Sequence, residues 1–499
     1  MTASPLASIA LNRFGLGARA GQVVTGDPKR WLLDQFARFD ARPDVIAEAP
    51  TSAGVSAELA DYFRQVRALR QQGMAAPMAM AASTMAAPMT AVPAMATMTA
   101  AKPGQTPEQR EARQFARREG RTAYAGAVAA RATAAFTTDA PFVERLVHFW
   151  ANHFAVSADK LAVVGLSGTL EFEAIRPHVL GKFSDMLLAV ERHPAMLIYL
   201  DQAVSIGPGS PLGTRIAARG ARKIGLNENL ARDILELHTL GVRSGYRQAD
   251  VTEFARAMTG WTVAGIGQGP GARAAGTDGV PGDFVFASQL HEPGDRMILG
   301  KRYAAEGVEQ ATAVLADIAA APATAHHLAT KLARHFAGDT PPPAVVARLE
   351  AAFLSSGGDL PTVYRALIDS PEAWMPAPLK FRTPWEWTLA CYRALGAKEV
   401  QPQAIVGLMK QLGQPVWQPG QPVGFDDVAG SWAGPDAVMR RVEAAERFAQ
   451  RAGPVDARAL APTLFPAALT PATQGAIARA ESPGQALALL LVSPEMMRR

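Results

Sequence analysis

The stretch Asn227-Glu228-Asn229-Leu230-Ala231-Arg232-Asp233-Ile234-Leu235-Glu236-Leu237-His238-Thr239-Leu240-Gly241 decides the fold class. Leu230, Ile234, Leu237 and Gly241 recur at the three- and four-residue steps of one helix face, not at the two-residue step of a strand. Asn227 or a neighbour supplies the N-cap, and Gly241 the stop. Asn229, Arg232 and Glu236 lie on the opposite face, and His238 falls at the edge of the apolar one.

The same period extends both ways. Downstream, Asp250 and Glu253 make a capping-box-like start for a helix through Phe254, Met258 and Trp261. Thr383-Pro384-Trp385-Glu386 is a second helix start: an N-cap, proline at the first position and glutamate at the third. Helices are also predicted over 306–320, 323–337, 344–354, 361–369, 435–451 and 472–492. Upstream, Asp27-Pro28 opens a first helix. Others follow from Ser56, over 106–136, 141–154, 168–180 and 182–192, and at Pro194–Leu200. Ser205–Gly213 and 415–434 read as loops. The break from helix is 264–303, where Phe284-Val285-Phe286 and Met297-Ile298-Leu299 flank a turn-rich segment and predict a small β hairpin around residues 284–300. The expected fold is mainly α: a large multi-helix domain with that hairpin.

Length alone, 499 residues, gives a soft prior of about three domains. The single cysteine, Cys391, excludes an intrachain disulfide framework and any multi-cysteine metal site. Fifty basic against 45 acidic residues is a mild excess that does not point to nucleic acid. No run approaches the ~18 apolar residues a spanning helix needs, and no basic segment precedes a long apolar run at the N-terminus, so a signal peptide is not expected. The default reading is a cytoplasmic chain, with periplasmic co-export as the alternative. Residues 73–104 are almost wholly Ala, Met, Pro, Thr and Ser, and hold seven of the 17 methionines. Prolines 77, 88 and 93 predict a mobile insertion there. Thioethers are also soft copper(I) ligands, but no His or Cys accompanies them. The organisation expected is N-terminal helices over 1–72, the insertion over 73–104, and the remainder of one large helical domain over 105–499.

Several segments carry a resemblance: Leu11-Asn12-Arg13-Phe14-Gly15-Leu16-Gly17, His148-Phe149-Trp150-Ala151-Asn152-His153-Phe154, His193-Pro194-Ala195-Met196-Leu197 with Tyr199-Leu200-Asp201, the 227–241 stretch itself, and Thr259-Gly260-Trp261. Together they resemble the bacterial family catalogued as domain of unknown function 1800, across nearly the whole chain. The resemblance supplies no catalytic residue. It implies a neighbour: members are often encoded beside an exported, sulfatase-like protein, and many look exported themselves.

Unrolling the helices selects the polar residues that point inward. His153 lies in the middle of the face made by Phe142, Leu146, Phe149 and Trp150. Glu171 and His178, seven apart, share a face with Ile175. His153, Glu171, His178 and His238 are therefore the candidate metal ligands, since imidazoles and carboxylates on facing helices build zinc, iron or manganese sites. None of the local spacings is a metal motif, and hydrogen-bonded core histidines are the competing reading. Asn227, Asn229 and Arg232 at a helix start are candidate ligands for an anionic or sugar-like molecule. Arg232 and Glu236 join His153 and His238 as candidate catalytic groups, though a solvated ion pair explains the first two equally well. His327, Lys331 and His335 flank the stripe Leu328, Leu332, Phe336 at four-residue steps, a basic edge facing a ligand or a rim of snorkelling cations. No nucleophile elbow, phosphate loop or dinucleotide fingerprint occurs. Two functional readings follow: a metal-dependent enzyme acting on a polar or anionic substrate of the cell envelope, or a non-enzymatic partner or maturation factor for the sulfatase-like companion.

Overall fold

A computed structural model describes residues 4–80, 107–220, 225–266, 279–377, 380–453 and 455–499. Nine helices carry the argument: α1 (Ser52–Met80), α2 (Pro107–Thr137), α3 (Pro141–His153), α4 (Phe183–Arg192), α5 (Gln248–Met258), α6 (Pro322–Ala337), α7 (Pro384–Ala394), α8 (Pro435–Arg451) and α9 (Pro483–Leu491). The start of α7 forms as the sequence predicts: Thr383 Oγ1 accepts from the Glu386 amide at 3.3 Å, and Glu386 Oε2 accepts from the Thr383 amide at 3.0 Å. The fold is mainly α.

Two small antiparallel ribbons interrupt it. β1 (Trp261–Val263) pairs with β2 (Phe284–Phe286), and β3 (Arg296–Ile298) with β4 (Lys301–Tyr303). Phe284–Phe286 and Met297-Ile298 are therefore extended as expected, but they do not pair with each other. Leu299 sits instead in the β3–β4 turn with φ +51°, followed by Gly300 at +78°, the conformation of a tight hairpin. The Trp261 strand, read as the end of a helix, captures Phe284–Phe286 because Trp261 and Val263 are fully buried beside it.

Other boundaries move for local reasons. The α5 N-cap is Arg247, and Asp250 is the third residue, whose carboxylate accepts from the Arg247 amide at 2.7 Å. Residues 472–492 are two helices, Pro471–Ala478 and α9, because Ser482 caps a new start at Pro483. Helix α1 runs eight residues into the segment assigned to the insertion, through Pro77. The rest of that segment, including its remaining methionine run, lies outside the described residues. The helix expected over 168–180 is a short α turn, a π turn at Leu170–Ile175 and a 3₁₀ turn at Arg176–His178. The 227–241 helix likewise passes into a π turn at Ile234–His238. No helix among the described residues is long and apolar enough to cross a membrane.

The chain packs around three apolar clusters. The largest gathers α3, α4, α5 and α6; a second gathers α7, α8 and α9; a third joins α2 to Trp385, Leu389 and Trp417. One N-terminal segment touches all three: Phe14 enters the first, Leu11 the second and Leu16 the third. The polar residues between them bind backbone. Arg13 donates to the carbonyls of Ala373 (2.8 Å), Met375 (2.8 Å) and Ala377 (2.5 Å), and Asn12 to that of Leu464 (3.0 Å). Arg145 and Arg393 donate back to the Gly15 and Gly17 carbonyls, each at 2.8 Å. Gly17 has φ +100°, and a Cβ there would lie 2.9 Å from that of Ala390, so only glycine lets this segment touch α7. The Leu11–Gly17 stretch is thus the junction of the three cores.

Replacing Arg13 with alanine strands three carbonyls at once. The expected loss is about 3 kcal/mol of unfolding free energy, read as a lower denaturant midpoint. Arg13→Lys recovers only part of it, because a single ammonium cannot span the same fork.

Candidate functional site

A cavity of about 240 Å³ opens where α3, α6, the start of α7 and the 415–434 loop meet. Helix α3 contributes Arg145, His148, Asn152 and His153; α6 contributes Lys331, Arg334 and His335 from one face; the loop contributes Trp417, Phe425, Asp426 and Asp427. Arg131 of α2 closes the wall. Its guanidinium lies 4.7 Å from the Trp385 ring centroid and 5.2 Å from that of Trp417. Both indole N–H groups are committed, Trp385 to His148 Nδ1 (3.3 Å) and Trp417 to Glu171 Oε2 (3.0 Å). Gly168 seats Trp417: a Cβ there would come within 2.9 Å of the indole.

The charges of the wall fall into two groups. Arg131 pairs with Glu171 at 2.8 Å. Arg145 pairs with Glu386, which Arg499 meets at 2.8 Å from the other side. Burial raises the Glu386 carboxyl, but Arg499 and then Arg145 outweigh it and hold the group well below the usual range. Asp427 accepts from His335 Nδ1 at 2.8 Å and faces Lys380 at 3.2 Å. Burial opposes its ionisation too, yet His335 and Lys380 bring it down to about 2. Lys331 and Arg334 form the second group. Among the described residues neither makes an ion pair or a side-chain hydrogen bond, and Arg334 Nε is buried without an acceptor. Burial, the largest effect, brings the Lys331 ammonium down to about 8.

Beside this wall lies a histidine cluster. His153 donates from Nε2 to the His238 carbonyl (3.1 Å), His327 from Nε2 to the Leu237 carbonyl (3.2 Å), and His238 Nδ1 meets Glu191 Oε1 at 2.8 Å. The rings of His238 and His327 each lie 6.2 Å from that of His153. His153 Nδ1 and His238 Nε2 are buried with no partner. Burial, assisted by Lys331, holds His153 well below its ordinary value and brings His327 to about 4, so both rings are neutral.

A sequence model described as protein of unknown function (DUF1800) matches residues 9–498. The chain belongs to that family. No curated protein and no solved structure matches it.

Against this DUF1800 geometry, the residues singled out from sequence separate. His153 and His238 do meet, and His153 lines the cavity. Glu171 and His178 do not join them. Glu171 is buried against Arg131 and Trp417, and His178 ends the 3₁₀ turn, partly exposed. The π turn at Leu170–Ile175 removes the ~100° step on which their shared face rested. Among the described residues no group of three or more His, Cys, Asp or Glu side chains is arranged to hold a metal ion. Asn227, Asn229, Arg232 and Glu236 do not line the cavity. Asn227 caps locally, accepting from the Asn229 amide at 2.9 Å and donating to the Leu200 and Asp201 carbonyls. Arg232 lies between Glu228 (3.2 Å) and Glu236 (3.5 Å) and donates to Gln248. The edge His327, Lys331, His335 is the sequence feature that reaches the site. Arg131, Arg145, Glu191, Arg334 and Asp427 carried no local signal; Glu191 alone, one turn beyond Leu187 on an apolar helix face, could have been flagged.

Acid should act on this region in two steps. A histidine whose folded pKa is depressed favours the folded state above its unfolded pKa of about 6.5, and that stability is lost as pH falls through its folded value, about 4 for His327. Glu386 and Asp427, also depressed, lose theirs only below the ordinary carboxylate range, near 2 for Asp427. Denaturant unfolding across pH is therefore expected to show a first decline below about 6.5 that is reduced in His327→Gln, and a second in strong acid. At neutral pH, Glu386→Gln is expected to cost about 3–5 kcal/mol by leaving Arg145 and Arg499 uncompensated.

Proposed function

We propose that the cavity binds an anionic group, a carboxylate, phosphate or sulfate, on a small molecule or on the end of a polar polymer. One observation carries this reading. Among the described residues, Lys331 and Arg334 line the cavity without an ion-pair partner, while Arg131 and Arg145 each have one. Partly desolvating a charge costs free energy that only a counter-charge or hydrogen bonds recover. A ligand anion supplies both, and a guanidinium beside an ammonium matches the oxygens of a carboxylate or phosphate. Phe149 and Phe425 give the rest of the wall an apolar character suited to the body of an organic molecule. The polar or anionic substrate expected from sequence is kept in this reading, but its position moves from the 227–241 helix start to α6. The reading as a partner for a sulfatase-like companion stands on the family resemblance alone.

Calorimetric titration with inorganic phosphate and with sulfate tests the proposal. Saturable binding is expected, weakened about tenfold or more by Lys331→Met or Arg334→Met, one charge-assisted contact each. The same variants should melt at equal or higher temperature than the parent without ligand, because each removes an unpaired charge. Anion binding unchanged in the double variant would sink the proposal.

A further inference from the structure

Lys331 differs in kind from the other cations of the cavity. The others are guanidinium groups, whereas an amine can give up its proton and become a nucleophile. Its surroundings favour that. Lys331 has no ion-pair partner among the described residues, and Arg334 follows it one turn along α6. Asp427 is paired with His335 and Lys380 and makes no ion pair with Lys331; its charge still raises the ammonium, and burial outweighs it. A second wall residue is set up to move a proton. His153 gives its Nε2 hydrogen to the His238 carbonyl, so its Nδ1 carries a lone pair, and that atom is buried with nothing to accept from. Lys331, His153 and Arg334 are all residues of the same cavity wall.

We propose that Lys331 forms an imine with the carbonyl carbon of a ligand that also bears a carboxylate or phosphate, Arg334 holding that anion and His153 carrying the proton. The inference rests on the reading of the cavity as an anion site. The Lys331 nitrogen lone pair bonds to the carbonyl carbon, and the carbonyl π pair moves to oxygen. The proton leaving nitrogen passes to His153 Nδ1 and on to the alkoxide, which completes the carbinolamine. A second proton, from bulk water, is taken up by the hydroxyl; the nitrogen lone pair then forms the second bond to carbon, one water departs and the iminium remains. No oxidant or reductant takes part, and the iminium is an electron sink for later proton or carbon–carbon chemistry at the adjacent carbon. Burial supports the step: with the ammonium brought down to about 8, the neutral amine near pH 7 is on the order of a hundredfold more abundant than on a surface lysine.

The test is reductive trapping on the full chain. Glyoxylate, a carbonyl compound with a carboxylate, and propionaldehyde, one without, are each added with cyanoborohydride, and the adducts are located by peptide mass mapping. The expected result is an adduct on Lys331 about tenfold or more ahead of Lys29, Lys160 and Lys410, absent in Lys331→Arg. Its rate should rise with pH to a midpoint near 8, well below that of the surface lysines. Arg334→Gln should slow capture of glyoxylate and leave that of propionaldehyde unchanged. Circular dichroism of both variants checks that they fold. Adducts spread evenly over the lysines while phosphate still binds would overturn the imine and leave the anion site standing. Loss of phosphate binding as well would overturn both.

Discussion

Glu386 accepts from the cap amide of its own helix through one carboxylate oxygen, and meets Arg145 of α3 and Arg499 of the last residue position through the other. Three stretches of chain, each more than a hundred residues from the next, converge on that group, which is almost wholly buried. Burial raises the cost of a lone charge there, so each arginine is held by the same carboxylate that needs it. The interaction fixes the roof of the cavity: α3 cannot move from α7 without exposing an unpaired charge, and His335 stands next to it on α6. A bidentate cap that only started a helix would be worth about 1 kcal/mol. Here the cap glutamate also registers two of the three cores.

The same device recurs with carbonyls in place of carboxylates. Arg13, Arg382 and Arg393 are buried, and their guanidinium forks end largely on backbone oxygens where helices and turns leave acceptors unused. Arg382 also reaches Asn12 Oδ1 at 2.8 Å, which ties the N-terminal junction to the segment before α7. A planar cation with five donors satisfies several orphan acceptors at one point, where an apolar side chain would satisfy none. Part of the basic excess of this chain is therefore structural and internal.

How much of this was legible in the sequence follows the range of the interactions. The TPWE start, the helix of 435–451 and the apolar face of α3 depend on neighbours within four residues, and spacing alone exposes them. His153 was placed inward correctly for the same reason. The failures share a cause. The π turns at Leu170–Ile175 and Ile234–His238 change the angular step in mid-segment, which took His238 from the edge of a face to full burial and separated Glu171 from His178. The strand at Trp261 pairs across a Gly/Pro-rich connection that no local pattern fixes. The cavity itself was illegible, since Asp427, Arg145 and Arg131 come from a loop and two helices that only tertiary packing brings together. His153, and Lys331 with His335 on a basic edge whose two explanations the sequence could not separate, were the visible members.

The proposed anion site takes up the ligand-facing explanation. A rim of snorkelling cations would carry its charges out to water along aliphatic stems. His335 instead turns inward to Asp427, and Lys331 and Arg334, both half-buried, line an open cavity of about 240 Å³. The protein places carboxylates against Arg131, Arg145, Arg499 and Lys380 around this one space, so acidic residues were within reach of the fold. Leaving two neighbouring cations without one weakens the empty state by like-charge repulsion and partial desolvation. A counter-charge arriving from outside would relieve both costs, and the proposed anion site rests on that balance rather than on the histidine cluster.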